Sequence, residues 1–93
     1  MSIDNYHEQR LNGARLIAET AAEFAQAQEI TLERTEWDLG QAIIRRTNHI
    51  LSLTAKGQTI TGEFPDEWLA DYPGRVGTEK ANSLLEEMIR QLI

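Results

Sequence analysis

Several groupings place chemistry-bearing side chains one helical turn apart. Asp4, His7 and Glu8 stand at i, i+3 and i+4, so a helix there brings three metal-type ligands to one face. No distant fourth ligand stands out, and a solvated helix face accounts for the same residues. Glu19 with Glu23, and Glu67 with Asp71, are acid pairs at i, i+4. Paired carboxylates divide acid and base roles when burial separates their pKa values, but on an amphipathic helix such pairs are ordinarily solvated. Arg45 and His49 are one turn apart and could hold a phosphate or carboxylate; pairing of Arg45, Arg46 and His49 with acids of the same molecule is the simpler account. Gly74-Arg75-Val76-Gly77-Thr78 precedes a helix, and helix N-termini bind anions. Its spacing is not that of a phosphate loop, and a plain cap by Gly77 and Thr78 explains it. The expectation is a non-enzyme with no catalytic residue, no cofactor and no metal.

The charge is better organised than any of these groupings. The 93-residue chain carries a net charge of −6, distributed in blocks. Residues 19–38 hold Glu19, Glu23, Glu29, Glu33, Glu36 and Asp38 against Arg34, a balance of −5. Residues 39–58 hold only Arg45, Arg46 and Lys56, a balance of +3. Residues 59–74 hold Glu63, Asp66, Glu67 and Asp71, a balance of −4, and both ends of the chain are neutral. Trp37, Trp68 and Tyr72 sit in or beside the acidic blocks; core packing and a protein interface explain them equally well, since Trp and Tyr often anchor interfaces.

The elements that must position these residues read as helices. Residues 1–93 make one domain, expected to be mainly α: a small bundle of three main helices at about 4–28, 38–56 and 78–92, plus a short helix at 65–72. The segment DLGQAIIRRTNHILSLTAKG, 38–57, is its centre. Asp38 and Gln41 form a capping box, Lys56 suits the negative end of the helix dipole, and Gly57 suits the left-handed closing position. Leu39, Ala42, Ile43, Ile50 and Leu53 share one side at helical spacing, with Arg46 inside that stripe. The rival is α+β, with a hairpin at 49–64 around Lys56-Gly57, because the flanks are rich in Thr and Ile. Tyr6, Leu11, Ala14, Ile17, Ala18, Ala21, Phe24 and Ala25 give the first helix an alanine-rich stripe, suited to a close antiparallel pairing with the central one. Gly13 within it implies close packing or a slight bend. Residues 29–37 are read as a connector that could also be a short strand. Pro65 opens the short helix, with Asp66 and Glu67 at its positive end. Thr78 caps the last helix, whose apolar face is Ala81, Leu84, Leu85, Met88, Ile89 and Leu92.

The absence of cysteine excludes disulfides, thiolate metal sites and a Cys nucleophile. No basic-then-apolar leader is visible and no segment has the ~18 apolar residues of a membrane span, so a cytoplasmic protein with no membrane partner is expected. Direct nucleic-acid binding is disfavoured by the sign of the charge. The function expected is a small acidic protein that binds, and thereby inhibits, the basic surface of a partner protein. Its contact residues would be Glu19, Glu23, Glu33, Glu36, Trp37, Glu63, Asp66, Glu67, Trp68, Asp71 and Tyr72. If that surface is a nucleic-acid channel, carboxylates would stand where phosphates do, as in a phage- or bacteria-encoded inhibitor. Small acidic inhibitors of this kind include colicin immunity proteins and many phage anti-CRISPR proteins. The layout loosely resembles the immunity proteins in its four helices, short acidic third helix and Tyr72-Pro73 stop, while its first helix is longer and no stretch matches residue for residue. The alternative is a self-associating structural helical protein, a possible homodimer, whose acids serve solubility. The docking idea requires outward, unneutralised carboxylates on a helical frame with a cationic middle rod.

Overall fold

The computed structural model describes residues 2–37, 48–75 and 77–93, of which residues 2–7 by backbone alone. The order is α1 (Ser2–Ala27), β1 (Arg34–Trp37), β2 (Asn48–Ala55), β3 (Gln58–Pro65), α2 (Asp66–Asp71), a 3-10 turn (Tyr72–Gly74) and α3 (Thr78–Gln91). The three strands form one antiparallel sheet in the order β1-β2-β3. The fold is therefore α+β, and the expected helical bundle is incorrect. The four-helix layout behind the likeness to immunity proteins goes with it.

The correction turns on residues 48–55, expected as the second half of the central helix. Here His49, Leu51, Leu53 and Ala55 are buried while Asn48 and Ile50 are exposed and Ser52 and Thr54 half-buried. That is a period of two, the period of a strand with one face on a core. Lys56 and Gly57 both have positive φ, 55° and 76°, and join Ala55 to Gln58 as a two-residue type I′ turn. The left-handed preference of Gly57, read as a helix stop, serves a hairpin equally well. The cap at Asp38 and Gln41, and the placement of Leu39, Ala42, Ile43, Ile44, Arg45 and Arg46, lie outside the described residues. Residues 34–37 of the expected connector are β1, paired so that Thr35 faces Leu53 and Trp37 faces Leu51.

One face of the sheet carries the core. Its cross-strand rows are Thr35–Leu53–Ile60, Trp37–Leu51–Gly62 and His49–Phe64. Phe64 is fully buried and takes two edge-to-face contacts, with Trp37 at 5.3 Å and Trp68 at 6.0 Å between ring centroids. Helix α3 lies against β3, and a side chain at Gly62 would run into Met88 Sδ. In α1 the buried stripe is Ala14, Ile17, Ala21 and Ala25; Leu11, expected in it, is exposed. The Trp37 indole N–H donates to the Ala14 carbonyl at 2.9 Å, tying β1 to α1. Thr78 does not cap α3; Gly77, left-handed at φ 66°, is the residue before the helix, and no side-chain cap bond is made.

Two backbone positions bear directly on stability. A Cβ on Gly13 would run into the Leu69 carbonyl oxygen, so α2 crosses α1 where only a hydrogen fits. The closing turn of α1 has Glu29 at φ 61°, with Ile30 N–H donating to Ala25 C=O and Glu29 N–H to Gln26 C=O. This is a Schellman closure with a non-glycine residue in the left-handed position. Gly13→Ala is expected to lower stability by about 2–3 kcal/mol despite Ala's better helix propensity, because backbone must move. Glu29→Gly is expected to raise it by about 0.5–1 kcal/mol by relieving the left-handed Cβ. Urea midpoints at constant slope check both.

Candidate functional site

The most ordered polar constellation joins residues far apart in sequence. Asp66 is the first residue of α2, set by Pro65, which ends β3 and cannot continue the ladder. Arg10 comes from the third turn of α1, and His49 from the buried face of β2. Arg10 Nε and one terminal nitrogen donate to Asp66 Oδ2 at 3.0 and 2.9 Å, and Nε also approaches Oδ1 at 3.2 Å. His49 Nε2 donates to Asp66 Oδ1 at 2.8 Å. An ionised carboxylate only accepts, so the proton of this contact is on Nε2. His49 is wholly buried, and the side chains of Arg10 and Asp66 are 11% and 14% exposed.

A carboxylate that orients an imidazole is half of a general-base arrangement. Here the other half is absent among the described residues. The free nitrogen, Nδ1, is buried and has no hydrogen-bond partner. A substrate proton has no path to it, so the cluster works as a clamp between α1, β2 and α2. Arg45, which the sequence pairs with His49, lies outside the described residues, as do the side chains of Asp4 and His7. Among the described residues no group of three His, Asp or Glu could hold a metal.

The expected contact residues do not form one face. Asp66 is interior, held by the clamp. Tyr72 is buried, its hydroxyl shared between Asn82 Oδ1 at 2.6 Å and Thr20 Oγ1 at 3.0 Å. Trp37 and Trp68 are half-buried against Phe64. The remaining carboxylates are exposed in two separate groups. Glu36 and Glu63 stand on the outer face of the sheet, with Glu33 near the hairpin turn, where its Oε2 accepts the Lys56 N–H at 2.8 Å. Glu63 accepts a long bond from Asn48 at 3.3 Å. Glu19 and Glu23 lie on α1 and Glu67 and Asp71 on the adjacent α2. Glu19 and Glu23 also border an open groove of about 380 Å³ between α1, the Tyr72–Pro73 turn and α3. Glu19 is ion-paired with Arg15 at 3.1 Å, in an exposed pair. Glu23, Glu36, Glu67 and Asp71 make no ion pair or side-chain hydrogen bond among the described residues.

The sequence reading missed Arg10 and the pairing of His49 with Asp66. A signal was present: Arg10 stands four residues before Ala14 and seven before Ile17, on the buried stripe, where a cation needs a partner. Replacing Asp66 by Asn keeps its shape but removes the charge that two buried donors share. The expected cost is about 3 kcal/mol, against a change within about 0.5 kcal/mol for the exposed Glu67→Gln. Chemical denaturation of the two variants side by side separates the clamp from the surface. No protein-family model, curated protein or solved structure matches this chain.

Proposed function

We propose that the protein is a non-catalytic binding protein that docks on a basic surface of another protein through the carboxylates of α1 and α2. The cationic rod expected at 39–56 cannot serve as a helical frame, since 48–55 is a strand; the reading now rests on the outward carboxylates alone. One observation carries it. Asp71 is the last residue of α2 and the residue before the 3-10 turn, one turn from the like-charged Glu67 and with no basic residue in that last turn. Both side chains are exposed and without an ion pair among the described residues. Glu67 suits its position in the first turn, but Asp71 is disfavoured by its like-charged neighbour four residues before it. A group that opposes the fold where it stands is explained by an external cation.

With Glu19 and Glu23 on the neighbouring α1, the surface suits lysine and arginine side chains of a partner. If those belong to a nucleic-acid channel, docking there inhibits by occupying phosphate positions. The reading takes the chain to act in the cytoplasm, in keeping with its lack of cysteine. Among the described residues no helix is long and apolar enough to cross a membrane.

The test is capture of a partner on the tagged full chain, repeated from about 0.1 M to about 1 M salt, over which the screening length falls from about 10 to about 3 Å. A docking partner is released as salt rises. Glu67→Lys/Asp71→Lys is expected to abolish capture while changing thermal stability little, since both residues are exposed and the pair remains like-charged. Capture unchanged by this variant overturns the reading.

A further inference from the structure

The outer edge of β3 has the geometry of an unfinished sheet. A two-residue hairpin makes Ala55 and Gln58 a mutually hydrogen-bonded pair, so along β3 the bonded pairs to β2 alternate from there: Leu53–Ile60, Leu51–Gly62 and His49–Phe64. The close Thr54–Thr59 hydroxyl contact, 2.9 Å, fits the intervening non-bonded pair, where side chains approach more nearly. The main-chain N–H and C=O of Thr59, Thr61 and Glu63 therefore point away from the sheet. None of these three residues has a further backbone partner among the described residues. All three side chains are exposed, and among the described residues nothing covers this edge. Pro65 stands at the next position of that parity, where its missing N–H costs nothing.

Sheet edges are ordinarily short, bulged or guarded by lysine. The opposite edge, β1, is four residues long; β3 is eight, with unbroken register, no lysine and no internal proline. We infer that the β3 edge is a self-pairing interface, joining two copies of this chain into one continuous antiparallel six-stranded sheet with a two-fold axis at Thr61. That register sets Thr61 against Thr61 and Thr59 against Glu63 of the second copy. It uses every outward group of the three residues, giving about six main-chain hydrogen bonds, two per reciprocally bonded pair. Each Glu63 faces a threonine hydroxyl, so no carboxylate opposes a carboxylate. On the inner face Ile60, half-buried in one chain, faces Gly62 of the other, a large residue against the smallest. A foreign strand has no such matched register.

The inference is independent of the docking proposed through Glu67 and Asp71, and salt separates the two. Each copy carries −6, so self-pairing strengthens as screening rises, whereas acidic docking weakens. The experiment is light scattering of the full chain over a concentration series at low and high salt, combined with residue-resolved amide exchange. The expected result is a dimer favoured by concentration and salt, with the amides of Thr59, Thr61 and Glu63 becoming protected as it forms. Those of Ile60, Gly62 and Phe64, already bonded to β2, are protected throughout. Thr61→Lys opposes two ammonium groups across the axis and is expected to weaken association severalfold while the Ile60, Gly62 and Phe64 protection stays, showing an intact fold. A monomer at every concentration, a dimer whose Thr59, Thr61 and Glu63 amides exchange freely, or full association of Thr61→Lys overturns the inference.

Discussion

The Asp66 carboxylate, shared between Arg10 and His49, is the constraint on which the arrangement of the other elements depends. Among the described residues it is the one place where α1, the middle strand and α2 meet through directed bonds. Arg10 and Gly13 are three residues apart on α1, and Asp66 and Leu69 three apart on α2. The bidentate contact thus fixes the same register in which Leu69 backbone meets Gly13 without a side chain between them. A slide of α2 by one residue would lose both at once. The imidazole adds the sheet to this arrangement, at the expense of a buried Nδ1 with no partner. An orphaned ring nitrogen of this kind costs about 1–3 kcal/mol. It is tolerated because the other nitrogen bonds a charged acceptor, and such bonds exceed neutral ones.

From that corner the rest follows by covering one face of a three-stranded sheet. The long α1 supplies small side chains so that it can lie close, and α3 supplies Leu85, Met88 and Ile89 to fill what remains. Gly62 allows Met88 to enter the sheet's inner surface. Among the described residues no second layer covers the outer face. That face is accordingly built from Arg34, Glu36, Ser52, Thr54, Thr59, Thr61 and Glu63, with Ile50 the exposed exception. One-sided burial also explains why β2 alternates so strictly: a shift of one residue would place His49 and three apolar side chains in water.

The helices were legible because their periodic stripes agree with their boundaries: α1, α2 and α3 fall within a residue or two of the spans expected from sequence. The sheet was misread where two signals shared the same residues. Lys56 and Gly57 satisfy a helix end and a type I′ turn alike, and Ile50 and Leu53 sit three apart, a spacing compatible with a helix. What distinguishes the two is His49. In the strand it joins Leu51, Leu53 and Ala55 on one face, whereas in the helix it stands outside the stripe of Leu39, Ala42, Ile43, Ile50 and Leu53. Asp66 was misplaced for a different reason. Its sequence neighbours, Pro65 and Glu67, make it an ordinary first-turn acid, and its partner Arg10 is 56 residues away. No local pattern encodes that pairing; only the presence of a cation on the buried stripe of α1 hints that some carboxylate must come to it.

Sorting the acids by what holds them sharpens the electrostatic argument. Asp66 neutralises a buried guanidinium, Glu33 satisfies the first N–H of the hairpin turn, and Glu19 shares a solvent-screened pair with Arg15. These positions are explained by the fold, the last only weakly, since exposed pairs contribute about 0–1 kcal/mol. Glu23, Glu36, Glu67 and Asp71 are not. Solubility accounts for excess negative charge in general but is indifferent to where it sits, and would be served as well by an acid in a first helical turn as in a last one. Asp71 stands where α2 runs into the 3-10 turn, one turn from the like-charged Glu67, so the pair repels itself. That choice of position, more than the net charge, separates a surface presented to a cation from one that merely repels its neighbours.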